Sequence, residues 1–248
     1  MTTNRIILDC DPGHDDALAI MLAHGNDEID LLAVTTVAGN QSLEKVTRNA
    51  RVVASVIGMT SVPIAAGADH PLVREPFYAA GIHGESGLDG PELPEPTVPL
   101  DPRHGVDLIV ELLMDSPPGE ITVLGVGPAT NLALALRREP AIARRARNVV
   151  LMAGAHTRGN VTPAAEFNVH FDPHAAEAVL RAPWPVTMVG LDLTHQAGAD
   201  ARCVPGSRPS APGRPGSPPR SWSSSPAPTR ASTGSVLRRS TTPARWHT

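Results

Sequence analysis

Four aspartates within eight positions, directly after an apolar run, constrain this chain more than any other feature. The apolar run is "RIIL" at residues 5–8, and "DCDPGHDD" follows it at residues 9–16. The run predicts a strand, and the Pro-Gly pair predicts a tight turn at its end. Like charges held this close repel one another, so the pattern indicates that something positive lies among them.

Short β-rich runs alternate with helical periodicity up to about residue 197. Strands are predicted at residues 5–8, 29–36, 62–65, 121–124, 148–152 and 186–189. Helices are predicted at residues 16–24, 42–57, 106–114, 129–138 and 173–181. Strands separated by helices predict a Rossmann-like α/β fold, with an open, mostly parallel sheet and helices on both faces. Ligands of such sheets bind beyond the carboxyl ends of the strands, which is where the aspartates stand.

Residues 198–248 differ in composition from the rest of the chain. They hold eight Arg and one acid together with nine Pro and ten Ser, whereas residues 1–197 hold 13 bases and 24 acids. The Pro/Ser/Arg-rich part has neither helical nor strand periodicity, and its composition suits a disordered basic linker. We therefore predict an α/β domain over residues 1–197 and a low-complexity tail over residues 198–248.

The bulk composition excludes several classes of partner. A formal net charge of −4 gives no case for binding nucleic acid or an anionic membrane surface. Cys10 and Cys203 are too far apart in the chain to suggest a disulfide framework, which favours a reducing cytoplasm. Neither a signal peptide nor an apolar stretch of roughly 20 residues is visible, so no membrane association is expected.

The aspartate cluster has the chemistry of a site for a hard cation. Carboxylates on both sides of a Pro-Gly turn can direct several oxygens at one point, and oxygen ligands suit Ca²⁺ or Mg²⁺. The alternative is that Asp15 or Asp16 merely caps the helix that begins there. Capping leaves Asp9 and Asp11 unexplained.

Seven motifs, in order along the chain, are shared with one known family. They are "DCDPGHDDALAI" (9–20), "TTVAGNQSLEKVTRNA" (35–50), "PIAAGADHPL" (63–72), "IHGESGLDG" (82–90), "LGVGPATNLALAL" (124–136), "VVLMAGAHTRGNVTPAAEFNVHFDPHAA" (149–176) and "VGLDLTHQA" (189–197). Over nearly all of residues 1–197 the chain thus resembles the calcium-dependent nucleoside hydrolases of the inosine–uridine-preferring type. The resemblance implies hydrolysis of the N-glycosidic bond of purine or pyrimidine ribonucleosides to free base and ribose, by a homodimer or homotetramer.

The resemblance also implies a calcium site beside a ribose site. Asp11 and Asp16 would bind Ca²⁺ through carboxylate oxygens, with the backbone carbonyl of Val126 as a further ligand. Asp11 would also be the catalytic general base toward a water held by the metal. Met152 would pack beside the sugar, and His83 would lie near the nucleobase. The residues that would hold the ribose hydroxyl groups are Asp15, Asn40, Asn160, Glu166 and Asn168.

Two other interpretations stay open on the sequence alone. A strand followed by D-x-D also opens the aspartyl-phosphate phosphatases, in which the first Asp is the nucleophile and the metal is Mg²⁺. Against that interpretation, Pro-Gly stands here where those enzymes carry Thr or Val, and the single lysine, Lys45, lies early in the chain. The third possibility is a non-catalytic, truncated product that binds ribosides weakly or does not fold alone.

The chain departs from the family after about residue 197. The family continues with more helices and a late motif, roughly V-H-D-P-C-A-V-A-H. Its Asp supplies the remaining calcium carboxylate, and a nearby His is thought to protonate the leaving base. The motif does not occur in this chain. We therefore expect the C-terminal part of the family fold to be missing and the activity of the chain to be impaired.

A shift of the reading frame by one base can restore the missing motif. If each new codon takes the last base of one codon and two bases of the next, residues 240–248 can read H-D-P-C-A-V-A-H. Residues 201–209 can likewise read P-V-R-A-R-V-A-A-L, which suits a helix. We predict a frameshift near residues 197–201, in the gene or in its sequencing. Resequencing checks it, and codons that cannot spell the motif in the shifted frame would disprove it.

Overall fold

The computed structural model describes residues 3–90 and 92–197. The tail predicted at residues 198–248 lies outside these ranges, so the predicted boundary between the two parts stays a prediction. In the described parts of the chain, no helix is long and apolar enough to cross a membrane.

The described residues form one six-stranded sheet, in the order β3-β2-β1-β4-β5-β6. Every neighbouring pair of strands is parallel. The predicted α/β class and the predicted strands are confirmed. Strands β2 and β3 lie on one side of β1, and β4, β5 and β6 lie on the other, so the strand order reverses at β1. Folds of this kind bind their ligands at the carboxyl ends of the strands beside such a reversal. The strands are β1 (Asn4–Cys10), β2 (Ile29–Thr36), β3 (Ile64–Ala66), β4 (Ile121–Gly125), β5 (Asn148–Met152) and β6 (Val186–Val189).

All five predicted helices are present, together with short ones that the sequence did not reveal. The additional elements are four or five residues long, which is too short for an apolar periodicity to be recognised. The α-helices are α1 (His14–Gly25), α2 (Leu43–Ile57), α3 (Ala80–His83), α4 (Gly105–Asp115), α5 (Thr130–Arg138), α6 (Phe167–Phe171), α7 (Pro173–Arg181) and α8 (Leu191–Thr194), with a 3₁₀ helix at Pro140–Arg144.

Strand β1 is buried between two apolar layers. Ile7 belongs to the core formed with helices α4, α5 and α7, whereas Ile6 and Leu8 belong to the core formed with α1 and α2. Successive side chains of a strand point to opposite faces, so both faces of β1 need apolar residues. This requirement explains the uninterrupted apolar run in the sequence, and it confirms the prediction of helices on both faces.

Helix α1 is apolar on its outer face as well as its inner face. Ile20 is fully buried against the sheet, while Leu18 and Leu22 on the outer side are 55% and 67% exposed. A helix that is apolar all round is typical of a position between two layers. Within residues 3–90 and 92–197, the outer face of α1 is left open to solvent.

A buried carboxylate, Asp172, joins three parts of the fold on the other side of the sheet. Its Oδ1 accepts a hydrogen bond from the backbone N–H of Ala175 at 3.0 Å and so caps helix α7. Its Oδ2 accepts from the backbone N–H of Leu72 at 2.8 Å and from the Thr130 hydroxyl at 2.9 Å. Asp172 therefore fixes the long connection between β3 and α4 against the starts of α5 and α7.

We expect Asp172→Ala to lower the free energy of unfolding by roughly 2–4 kcal/mol, because it removes a helix cap and leaves buried donors without acceptors. Urea unfolding measures the effect. The matched control is Asp107→Ala, which removes a surface carboxylate paired with Arg138 at 2.7 Å and should cost less than about 1 kcal/mol. Equal losses in the two variants would contradict this assignment.

Candidate functional site

The carboxyl edge of the sheet gathers two buried carboxylates, Asp11 and Asp16, beside the turn that follows β1. Only 1% of Asp11 and 4% of Asp16 is exposed to solvent. Asn40, which follows β2, lies between them. Its backbone N–H donates to Asp11 Oδ2 at 2.7 Å, and its Nδ2 lies 3.5 Å from Asp16 Oδ2. The structure thus brings together three of the residues predicted for the site.

Asp11 is held in place by Asn40 and by two glycines. Asn40 Nδ2 also donates to the Asp11 backbone carbonyl at 3.0 Å. A Cβ atom on Gly127 would lie 2.7 Å from Asp11 Oδ1, and one on Gly39 would overlap Asp11 Oδ2. The carboxylate therefore occupies space that any other residue at these two positions would fill. The sequence analysis missed both glycines, although each belongs to a shared motif.

Asp16 has one satisfied oxygen and one buried oxygen without a partner. Its Oδ2 accepts from the backbone N–H of Gly13 at 3.1 Å, which is the helix-capping contact considered as an alternative. Its Oδ1 is buried and has no hydrogen-bond partner among the described residues. Capping therefore explains the position of Oδ2 only, and Oδ1 remains available to a ligand.

Burial opposes ionisation of both carboxyl groups. It raises the pKa of Asp16 to about 8, with a smaller contribution from the charge of Asp15. It raises the pKa of Asp11 well above its ordinary value, and the charge of Asp16 adds to this effect. The ion pairs of the described residues include neither group. Two adjacent acids without a cationic side chain are the arrangement that a bound cation would stabilise.

The donor atoms at the site fit a hard cation. Asp11 and Asp16 offer carboxylate oxygens, and the Val126 carbonyl follows β4 at the same edge of the sheet. That carbonyl accepts from Asn168 Nδ2 at 2.9 Å and keeps a second lone pair. Residues 3–90 and 92–197 contain no group of three or more His, Cys, Asp or Glu side chains suited to a metal. Further ligands would therefore come from water, substrate or other residues, as Ca²⁺ takes six to eight oxygens.

Asn168 and Glu166 join the ends of β4 and β5 to the start of α6. Asn168 Nδ2 donates to the Met152 carbonyl at 3.0 Å as well as to Val126. Glu166 is the N-cap residue of α6, and its Oε1 accepts from the Asn168 backbone N–H at 2.9 Å. Its Oε2 accepts from the backbone N–H of Gly154 at 3.0 Å. The structure therefore brings Val126, Met152, Glu166 and Asn168 together.

The remaining predicted site residues are less buried than Asp11 and Asp16. Asp15 and Asn160 are exposed, and no hydrogen bond in the described parts of the chain joins Asn160 to the other predicted residues. His83 is half-buried on α3, and a Cβ atom on Gly13 would lie 2.6 Å from its Nδ1. Its ring stacks on His14 with 5.7 Å between ring centroids. Burial lowers the pKa of His83, while the nearby charge of Asp15 opposes that effect.

Asp9 performs a structural task that the sequence analysis did not assign. It is fully buried inside β1, where its Oδ1 accepts from Thr35 Oγ1 at 2.6 Å and from Asn131 Nδ2 at 2.7 Å. Burial raises its pKa to about 6. The phosphatase interpretation required this first aspartate to be an accessible nucleophile. A carboxylate that is fully buried in the sheet and hydrogen-bonded to Asn131 of α5 does not fit that role.

The fold and the site define an α/β ligand-binding protein with acidic oxygens at the carboxyl end of its central strand. The family model described as "Inosine-uridine preferring nucleoside hydrolase" matches residues 6–223. The chain belongs to this family, as its motifs indicated.

Individual relatives agree with the family match. The inosine-uridine preferring nucleoside hydrolase of Leishmania major is 58% identical, over 78% of this chain and 62% of the relative. The pyrimidine-specific ribonucleoside hydrolase RihA of Photobacterium profundum is 47% identical, over 77% and 62%. Among solved structures, the purine-preferring ribonucleoside hydrolase from Gardnerella vaginalis has a TM-score of 0.74 at 35% identity, over 77% of this chain and 62% of that one. The chain thus spans about 62% of the length of these relatives.

We expect Gly39→Ala to destabilise the protein by about 1–3 kcal/mol, because the added methyl group must displace the Asp11 carboxylate or the Pro128 ring. Chemical denaturation measures the loss. Gly25→Ala is the control, since a Cβ atom there meets nothing within 4 Å. A Gly39→Ala variant as stable as Gly25→Ala would mean that Asp11 is not held as described.

Proposed function

We propose that this protein is a ribonucleoside hydrolase by descent, which cleaves the N-glycosidic bond with water to give a free base and ribose. The observation that carries the proposal is the pair of buried carboxylates, Asp11 and Asp16, which form no ion pair with any described side chain, in a chain of this family. The named relatives include inosine-uridine preferring, pyrimidine-specific and purine-preferring enzymes, which supports ribonucleosides as the substrate class.

Asp11 acts as the general base in this proposal. It takes a proton from the water that attacks the anomeric carbon of the ribose, while the bond from that carbon to the base breaks. The electron pair of that bond leaves with the base, which takes up a proton from solvent. General-base catalysis of this kind contributes typically about 10²–10⁴-fold. The raised pKa of Asp11 means that its carboxylate needs a positive neighbour in order to accept a proton near neutral pH.

The ribose-binding residues stabilise the transition state as well as the bound substrate. Cleavage of a glycosidic bond passes through an oxocarbenium-like sugar, on which positive charge grows. Negative and dipolar groups fixed around the ring therefore bind the transition state more strongly than the ground state. Met152 packs beside the sugar and His83 lies near the base. The groups proposed to hold the sugar hydroxyls are Asp15, Asn40, Asn160, Glu166 and Asn168.

Calcium is the proposed cofactor, held by Asp11, Asp16 and the Val126 carbonyl. When bound, the ion supplies positive charge that orients the sugar diol and makes a nearby water easier to deprotonate. The unpartnered Oδ1 of Asp16 and the oxygen-only donor set support a hard cation at this position. The late family motif, which would add a carboxylate and an acid for the leaving base, does not occur in the chain as written. Impaired activity is therefore part of the proposal.

The proposal also covers the compartment, the oligomeric state and the partners of the protein. We place the protein in the cytoplasm as a homo-oligomer, a dimer or a tetramer, that takes a small ribonucleoside and binds neither nucleic acid nor a membrane. The cysteine content, the acidic net charge of −4 and the family resemblance support this setting.

Calcium should raise the melting temperature of the protein, because a ligand that binds only the native state stabilises it, by about 2.7 kcal/mol at a hundredfold excess over Kd. In Asp16→Asn this shift should shrink or disappear, since the buried carboxylate that meets the ion is lost. Asp15→Asn is the matched control, because Asp15 is the exposed neighbour and should leave the shift intact. Loss of the shift in both variants, or no shift in the unmodified protein, would contradict the calcium site.

Ribose release from inosine and uridine tests the activity itself, with phosphate release from a phosphomonoester as the comparison. We expect the frame-restored chain to release ribose, and the chain as written to release it more slowly or not at all. Asp11→Asn in the frame-restored chain should lower kcat by about 10²–10⁴-fold. A well-folded, frame-restored chain that leaves both nucleosides intact would refute the hydrolase, and a calcium response without hydrolysis would favour the non-catalytic alternative.

A further inference from the structure

The connection between β5 and α6, residues 153–166, is closed by a hydrogen bond between its two ends and is fastened near its start to α8. Near its end, Glu166 reaches back to the backbone N–H of Gly154 at 3.0 Å. Near its start, Asp192 of α8 binds two consecutive residues of the connection. Asp192 Oδ2 accepts from the backbone N–H of His156 at 2.6 Å, and Oδ1 accepts from the backbone N–H of Thr157 at 3.1 Å and from the Thr157 hydroxyl. These hydrogen bonds lower the pKa of Asp192 to about 2.

The part of the connection between the two fastenings is bonded to itself. The backbone N–H of Gly159 donates to the Pro163 carbonyl at 3.1 Å, and that of Val161 donates to the Ala165 carbonyl at 3.1 Å. A Cβ atom on Gly159 would overlap the Ala165 backbone. Residues 159–165 therefore form a compact tip that is bonded within itself, and its orientation depends on the segments that attach it.

Asp192 belongs to helix α8, and the start of that helix is hydrogen-bonded to the segment that follows β5. The backbone N–H of Leu191 donates to the Gly154 carbonyl at 3.0 Å, and that of Ala153 donates to the Val189 carbonyl at 3.2 Å. The carboxyl ends of β5 and β6 are thus joined before the connection leaves the sheet. Asp192 joins this fixed end of the sheet to His156 and Thr157, which lie four and three positions before Asn160.

We propose that Asp192 is a positioning residue for the ribose site, which fastens the start of the 153–166 connection and thereby sets the location of Asn160. The part that concerns Asn160 rests on the proposed function, in which that side chain binds a sugar hydroxyl. The fastening itself does not depend on any activity. Charge-assisted hydrogen bonds to three donors on two adjacent residues are the contacts that carry it.

Limited trypsin digestion of the intact chain tests the fastening, because Arg158 is exposed and lies directly after the two residues that Asp192 binds. Asp192→Ala should increase the rate of cleavage after Arg158 at least about tenfold, since each lost bond to a charged group favours local opening. Asp107→Ala, which removes a partly exposed carboxylate on α4, should leave that rate unchanged. Mass spectrometry of the fragments identifies the site, and an unchanged rate in Asp192→Ala overturns the proposal.

A double-mutant cycle on ribose affinity in the presence of calcium tests the positioning. If Asp192 acts through Asn160, then Asp192→Ala and Asn160→Ala should each weaken ribose binding, and the double variant should bind no more weakly than Asn160→Ala alone. Additive losses would show that Asp192 does not act through Asn160 and would overturn the positioning role. Absence of ribose binding in every variant would refute the proposed function, while the digestion result would still decide the fastening.

Discussion

The burial of Asp11 beside Asp16 is the constraint on which the rest of the site depends. Removing two like charges from water is costly, and the described residues offset that cost with backbone N–H donors but with no positive side chain. The surrounding residues nevertheless hold the two groups firmly, through the Asn40 backbone and through glycines that leave no spare space. A fold that fixes two carboxylates without neutralising them is organised to receive a cation, and the site is most stable when one is present.

The sequence predicted the strands and longer helices because each has a length and an apolar pattern of its own. It predicted the proximity of Asp11 and Asp16, since both flank one turn. It did not reveal the task of Asp9, because the partner that explains Asp9 is Asn131, which is 122 positions away. The short helices α6 and α8 were missed because they are too short for an apolar period to be recognised. The role of Asp192 was missed for the same reason as that of Asp9, because Asp192 binds backbone N–H groups 36 and 35 positions away.

The outer face of α1 connects the structure to the reading-frame hypothesis. Leu18 and Leu22 are exposed in the described part of the chain, although a helix apolar on both sides normally lies between layers. The Pro/Ser/Arg-rich residues after 197 have little apolar surface to offer such a face, whereas the shifted frame can read as an Ala/Val/Leu-containing helix and the metal-binding family motif. One shift of frame would thus supply apolar residues suited to the exposed face of α1, an observation independent of the family motif from which the hypothesis was built.

The Glu166 carboxylate is oriented by the protein itself. Both of its carboxylate oxygens accept hydrogen bonds from backbone N–H groups, so the side chain is already oriented before any sugar arrives. Oε1 accepts one of these bonds and keeps a lone pair, whereas Oε2 accepts from the backbone N–H groups of both Gly154 and Val169. A group oriented in this way loses little further freedom in the transition state, which is where preorganised charge contributes most. Within residues 3–90 and 92–197, no hydrogen bond fixes the side chain of Asp15 or Asn160, so the location of these two proposed ribose ligands depends on the backbone segments that carry them.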